Sequence, residues 1–191
     1  MSRIILASGS PRRRELLGKL YDNFEVITSE VDETLDDGVS PLMGVEILSV
    51  RKGRAVADSL PNECIVISSD TLVEIDGEPL GKPVSREDAY RMLRMLSGRY
   101  HNVHTGVAVH YDGSVISGVE SARVKFKPLS DEEIYGYIDG GEPMDKAGAY
   151  AIQGEGGKFI EGYDGDFDTI MGLSVSLTKT LIDRIIGDCN D

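Results

Sequence analysis

Three stretches of the chain carry side chains whose types and spacing could do chemistry. The first is Ser8-Gly9-Ser10-Pro11-Arg12-Arg13-Arg14. If Pro11 opens a helix, three arginines fall in its first turn, where each cation opposes the helix dipole by roughly 0.3–1 kcal/mol. A bound phosphate would offset that cost, because free N–H groups, small residues and guanidinium forks would converge on it. The same residues also suit an ordinary loop-to-helix junction whose arginines are solvated or paired with Glu15 and other acids.

The second stretch gathers acids and lysines: Glu30, Asp32 and Glu33, then Lys52, Asp70, and Lys82 within Gly81-Lys82-Pro83. Asp70 follows the apolar run Cys64-Ile65-Val66-Ile67 and reads as the end of a buried strand, the place where α/β sheets bind ligands. A carboxylate there can hold Mg²⁺, which keeps waters and takes one or two carboxylates plus substrate phosphates. Any single acid of so acidic a chain also reads as solvated surface.

The third runs from Gly141 to Gly154, where the Gln153 amide could meet a base edge. Its bland alternative is a structural hairpin with Tyr150 in the core. His101, His104 and His110 lie at no zinc-ligand spacing and are expected to be structural. Neither a Walker A loop nor a GxGxxG sequence follows any strand, so P-loop and dinucleotide chemistry have no support.

The elements that must position these groups are legible in outline. Ile4 to Ala7 reads as a strand, and Ser10 with Pro11 as N-cap and first position of a helix bearing Leu16, Leu17 and Leu20. Phe24 to Ile27 is expected to be a second strand. Ser40-Pro41 repeats the cap before a helix from about Leu42 to Ser59, expected to turn Leu42, Val45, Leu48, Ala55 and Val56 inward. Asp76-Gly77 marks a hairpin, and Ser85 caps a helix that stops at Ser97-Gly98. Alternation from Val103 to Val109 and on to Phe126, turned at Asp112-Gly113, predicts antiparallel strands. Ser130 and Glu133 form a capping box for a helix ending at Asp139-Gly140-Gly141. Glycines break every pattern from Glu142 to Gly172, which reads as a site-building loop region, and a last helix carries Val175 to Ile185. This order predicts a mixed α/β fold, and the length of 191 residues one domain, 1–191.

Composition narrows the partners. Hydrophobic residues at 40% and charged residues at 28% describe a chain able to fold alone. Acids outnumber bases 33 to 20, and the resulting net charge of −13 disfavours a general grip on nucleic acid or anionic membrane. Cys64 and Cys189 show neither a disulfide framework nor a zinc spacing, and Cys64 reads as core. The apolar run near Met1 is too short for a signal peptide or a span, so a reducing cytoplasm is expected.

Taken together, Ala7-Ser8-Gly9-Ser10-Pro11-Arg12-Arg13, Ser29-Glu30-Val31-Asp32-Glu33, Asp70-Thr71, Gly81-Lys82-Pro83, Leu96-Ser97-Gly98 and Gly141 to Gly154 closely resemble the Maf family, over nearly the whole chain. The resemblance implies a cytoplasmic, homodimer-forming α/β protein with a mixed, twisted central sheet flanked by helices, similar to the inosine triphosphate pyrophosphatases. It implies a Mg²⁺- or Mn²⁺-dependent hydrolase that cleaves the α–β phosphoanhydride of dTTP and UTP, giving the monophosphate and pyrophosphate. Modified pyrimidine nucleotides stay open as substrates. By position, Asp70 matches the family's proton acceptor. Arg12, Thr71 and Gln153 match specificity positions, and Glu33, Lys52 and Lys82 match polar pocket residues. On this reading Glu33 and Asp70 hold metal, while Arg12, Arg13, Lys52 and Lys82 meet the phosphates. Ser68-Ser69 and Ser174 depart from the Gly-Ala and proline common there. The alternatives are a pyrophosphatase for a modified purine nucleotide such as 7-methyl-GTP, and a nucleotide-binding regulator of septum formation.

Overall fold

The computed structural model describes residues 2–28 and 30–188; Ser29 of the acidic motif and Cys189 lie outside the described residues. Its strands are β1 (Ile4–Leu6), β2 (Glu25–Val26), β3 (Ile65–Ile75), β4 (Glu78–Leu80), β5 (Tyr100–Tyr111), β6 (Ser114–Phe126) and β7 (Ile160–Asp164). They join in one sheet in the order β2-β1-β3-β5-β6-β7, with β4 paired to β3. The helices are α1 (Pro11–Leu17), α2 (Pro41–Ala57), α3 (Arg86–Leu96), α4 (Asp131–Asp139), α5 (Phe167–Met171) and α6 (Val175–Asp188). The fold is the expected mixed α/β sheet with helices. The chain divides into two compact units, and β3, β5 and β6 each contribute residues to both.

The first unit takes the chain up to Thr71, then Thr105–Glu120, then Gly172 onward. β1 pairs in parallel with β2 and with β3, in the register Ile5↔Glu25 and Ile5↔Val66. Ile5, Leu6, Val66 and Ile67 are fully buried, as a parallel strand covered on both faces requires. Ser10 and Ser40 cap α1 and α2 with their hydroxyls, and Pro11 and Pro41 occupy the first turns, where a missing N–H costs nothing. α2 sits directly on β5 because Gly106 has no side chain: a Cβ there would lie 2.4 Å from the Val45 carbonyl oxygen. Gly53 does the same from the helix side, where a Cβ would meet His110 Nε2 and Ser68 Oγ at 2.5 Å. Val45, Leu48 and Val56 face inward as expected, but Leu42 is 47% exposed and Ala55 also faces out. The glycines and Ser49 take the inward places instead, since a close helix–sheet contact has room only for small groups.

The second unit takes Leu72–His104 and Ser121–Met171. Its core joins Val73 and Ile75 of β3, Leu93 and Leu96 of α3, Val124 and Phe126 of β6, and Ile134 of α4. Phe126, Tyr150, Phe159 and Tyr137 meet edge to face or tilted, with ring centroids 4.8 to 6.1 Å apart. Asp76 and Gly77 take φ of 55° and 81° and turn β3 into β4, the left-handed pair that a two-residue hairpin needs. Ser130 and Glu133 close both halves of the capping box on α4.

Two further expectations are corrected. β3 runs to Ile75, so Asp70 lies within the strand and not at its end; it lies three residues past Ile67, the last residue paired with β1. Ser68 and Ser69 do not interrupt the strand, because their buried hydroxyls donate to the Ser49 and Gly172 carbonyls. The glycine-rich region is not all loop. It holds three short 3₁₀ turns, then β7, which pairs antiparallel with β6, and α5. The histidines are buried, as structural residues would be. His101 shares a hydrogen bond with the Tyr150 hydroxyl at 2.8 Å and His104 one with Ser121 at 2.7 Å.

Candidate active site

Five of the eight candidate residues are drawn together in the first unit by four elements: α1, the acidic loop before α2, α2 itself and β3. The centre is the Lys52 ammonium. α2 holds it against β3, where Nζ meets Asp70 Oδ1 at 2.5 Å and Glu33 Oε1 at 2.8 Å. Lys52 and Asp70 side chains are only 19% and 12% exposed, while Glu33 is 60% exposed. Glu33 reaches the ammonium because Arg51, one position before Lys52, donates to the backbone carbonyls of its two neighbours, Asp32 and Thr34. The loop is thereby tied to the helix on both sides of the carboxylate. Asp32 turns away to Thr34, whose side chain and then backbone N–H, at 2.8 Å, lower its pKa; it serves the loop and not the cluster.

Arg13 closes the other side of the site. Its Nε donates to the Gly172 carbonyl at 2.9 Å, Nη2 to Thr71 Oγ1 at 3.2 Å and Nη1 to Ser8 Oγ at 3.4 Å. Burial pushes its pKa down, opposed by the nearby Asp70 and Glu33 carboxylates and reinforced by the Arg12 charge. Three of the five guanidinium N–H groups are thus committed to the protein. Arg12 differs: it is half-buried and has no hydrogen-bonded or ion-paired partner among the described residues. Of the two, Arg12 is the one with its donors free for an anion.

Sequence reasoning missed the hub that organises this side. The Gly172 carbonyl accepts from Arg13 Nε, Ser69 Oγ and, at 3.4 Å, Thr71 Oγ1. Gly172 takes φ of 115°, and a Cβ would press on Thr71 Oγ1 at 3.2 Å, so the position requires glycine. Thr105 Oγ1 completes the set, 3.0 Å from Thr71 Oγ1. Nothing local in the sequence marks Gly172 or Thr105, since both act on residues about 30 to 160 positions away. The two departures from the family pattern are explained here. Ser69 supplies one bond to the hub, and Ser174 caps α6 by accepting the Leu177 N–H while it donates to Glu120.

Lys82 and Gln153 belong to the second unit, where both side chains are exposed and have no hydrogen-bonded partner among the described residues. Among the described residues, no three His, Cys, Asp or Glu side chains gather into a metal cluster. The two carboxylates on Lys52 nevertheless suit Mg²⁺ or Mn²⁺, which bind through one or two carboxylates when substrate phosphates complete the shell. An ammonium already held between them shows that the pair accommodates a cation.

Known proteins resemble this chain over nearly its whole length. The chain is 43% identical over 189 residues to a dTTP/UTP pyrophosphatase of Bdellovibrio bacteriovorus, covering 95% of this chain and 97% of that one. It is 47% identical over 178 residues to a dTTP/UTP pyrophosphatase of Thermococcus onnurineus, covering 93% and 95%. The Ham1 protein of Staphylococcus aureus shares the fold, with a TM-score of 0.50 at 17% identity and 98% of each chain covered. The family model described as Maf-like protein matches residues 3–185, and the chain belongs to that family.

Proposed function

We propose that this protein hydrolyses UTP and dTTP to the nucleoside monophosphate and pyrophosphate. The observation that carries the reading is the Lys52 ammonium shared by Asp70 and Glu33, with Arg12 and Arg13 in the same unit. It is supported by the activity for which similar proteins of nearly equal length are named. Hydrolysis at the α-phosphorus needs a positioned water, neutralised phosphates and a stabilised leaving group, with little covalent work for the protein.

Asp70 spends Oδ1 on Lys52, which leaves Oδ2 to take the proton of the attacking water. The water oxygen forms a bond to the α-phosphorus as the bond from that phosphorus to the bridging oxygen breaks, and the electron pair departs with pyrophosphate. Lys52 and Arg12 offer charge-assisted donors to the phosphates, and Arg13 adds its two uncommitted N–H groups. Glu33 and Asp70 are the residues that would hold Mg²⁺ or Mn²⁺, which when bound supplies charge neutralisation on the phosphates. Lys82 is the second unit's candidate for a phosphate, and Thr71 and Gln153 are the candidates for specificity, Gln153 by offering donor and acceptor to the N3–H and O4 of uracil or thymine.

We further read the protein as a cytoplasmic homodimer that binds neither nucleic acid nor membrane. Met43, Ile47 and Val50 line one open groove of the first unit that is available for such a contact. Among the described residues, no helix is long and apolar enough to cross a membrane. A nucleotide panel with Mg²⁺ or Mn²⁺ tests the activity: UMP or dTMP with pyrophosphate is expected, abolished by EDTA. Release of UDP and orthophosphate, a preference for 7-methyl-GTP, or binding without turnover would each overturn it.

A further inference from the structure

A second anchored carboxylate belongs to the second unit. Glu142 opens the 3₁₀ turn Glu142–Asp145, and both of its oxygens are used. Oε2 accepts the Tyr137 hydroxyl at 2.6 Å and the Gly156 N–H at 3.0 Å, and Oε1 accepts the Glu155 N–H at 3.1 Å. These two N–H groups open the 3₁₀ turn Glu155–Phe159, where backbone donors lack partners of their own. Tyr137 is buried on α4 with its ring edge-on to Phe159, so the carboxylate is fixed to a rigid element.

The segment so held carries Gln153. A Cβ at Gly154 would lie 1.9 Å from Glu142 Oε1, so the carboxylate fills the space that any other residue would need. A Cβ at Gly156 would stand 2.8 Å from the Tyr137 hydroxyl and 3.0 Å from the Ala151 carbonyl, and one at Gly157 would stand 2.6 Å from the Ile152 carbonyl. The backbone after Gln153 is thus packed against the backbone before it, around one carboxylate. Gln153 itself is exposed and has no hydrogen-bonded partner among the described residues. A long, rotamer-rich amide presented to a ligand loses affinity to the entropy of ordering it, and a rigid backbone beneath it cuts that cost.

We infer that Glu142 is a positioning residue for base recognition, acting through Gln153 by locking the 153–156 backbone to α4. The inference rests on the reading of Gln153 as the residue that meets the base. It is tested on the full chain with UTP and with the pyrimidin-2-one ribonucleoside triphosphate, which keeps ring and phosphates but lacks the N3–H and O4 of uracil. The wild-type chain should prefer UTP. Gln153→Ala and Glu142→Gln should each cut that preference about tenfold, the size of one hydrogen bond, with the loss in KM for UTP more than in kcat. The double variant should be no worse than Gln153→Ala, because both act through one contact. Wild-type preference in Gln153→Ala would overturn the reading of Gln153 and this inference with it. Lost preference in Gln153→Ala but not in a folded Glu142→Gln would overturn the inference alone. If Glu142→Gln does not fold, Tyr137→Phe removes one donor and keeps the ring on Phe159. It should lower the preference about threefold, and an unchanged preference there would also overturn the inference.

Discussion

Replacing Asp70 by Asn keeps the shape of the side chain and removes its charge, so two consequences can be separated by size. The structural one is small. Lys52 loses a carboxylate at 2.5 Å but keeps Glu33 at 2.8 Å, and the Asn oxygen can still accept from the ammonium. A full charge-assisted bond is worth about 1.5–3 kcal/mol, so weakening it to a neutral acceptor should cost about 1 kcal/mol. For a chain of this length that is a fall of about 2–4 °C in Tm. The catalytic consequence is large: without a base for the attacking water, kcat should fall by about 10²- to 10⁴-fold. Pyrophosphate release from UTP measures the second and thermal unfolding the first, with Mn²⁺ titrated in both proteins. Unchanged Mn²⁺ dependence would leave the base role, whereas a weakened one would make Asp70 chiefly a ligand. A folded variant that turns over UTP at the wild-type rate would remove Asp70 from the mechanism. A Tm fall well above 10 °C would show that the carboxylate is needed mainly to neutralise Lys52.

Arg12→Ala should leave Tm unchanged, since the side chain has no partner among the described residues, and should lower kcat/KM for UTP by about 1.5–3 kcal/mol; wild-type kinetics would mean that Arg12 is merely solvated. Arg13→Ala should lower both, because it also abandons Gly172, Thr71 and Ser8. Acid should weaken the fold in a defined window: burial lowers the His101 pKa to about 3, so its stabilising effect is complete above 6.5 and is lost as pH falls, by about 1.4 kcal/mol per unit. Urea unfolding should therefore lose about 2 kcal/mol between pH 6.5 and 5, with His104 and His110 adding in the same direction; a flat profile, or one that His101→Leu leaves as steep, would refute this. Gly106→Ala should destabilise by about 1–3 kcal/mol and lower kcat, because its Cβ would lift α2, and Lys52 with it, off β5; a variant with wild-type Tm and rate would contradict the packing described.

What could be read from the sequence was what residues decide locally. Ser10-Pro11, Ser40-Pro41, Ser85 and the Ser130 box place helix starts because a cap needs only the next turn, and Asp76-Gly77 places a hairpin because only φ is at stake. What failed depends on distant partners. Ser68, Ser69 and Asp70 look like a strand ending in polar residues, yet the strand continues because Ser49, Gly172 and Lys52 satisfy them. Leu42 and Ala55 have the right spacing for a core, but a helix that sits on glycine contacts turns a different stripe inward. β7 was hidden because its run, Ile160-Glu161-Gly162-Tyr163-Asp164, is half exposed and gains its order from pairing with β6. In the site, Arg12 and Arg13 are indistinguishable as letters, and only the bonds Arg13 makes to Gly172, Thr71 and Ser8 separate the anchored arginine from the available one.

The two carboxylates and one ammonium of the cluster, with the Arg13 guanidinium and that of its sequence neighbour Arg12, together carry one net positive charge, inside a chain whose net charge is −13. The attraction works over a few ångströms, whereas the repulsion between the whole chain and a polyanionic nucleotide extends about 10 Å at 0.1 M ionic strength. A triphosphate must therefore cross a repulsive field before it reaches groups that welcome it, the reverse of electrostatic steering. Added inert salt, which slows encounter in enzymes that draw their substrates in, should quicken it here until screening reaches the site itself. The bimolecular rate for UTP should then pass through a maximum as ionic strength rises, and neutralising surface acids far from Lys52 should shift that maximum to lower salt.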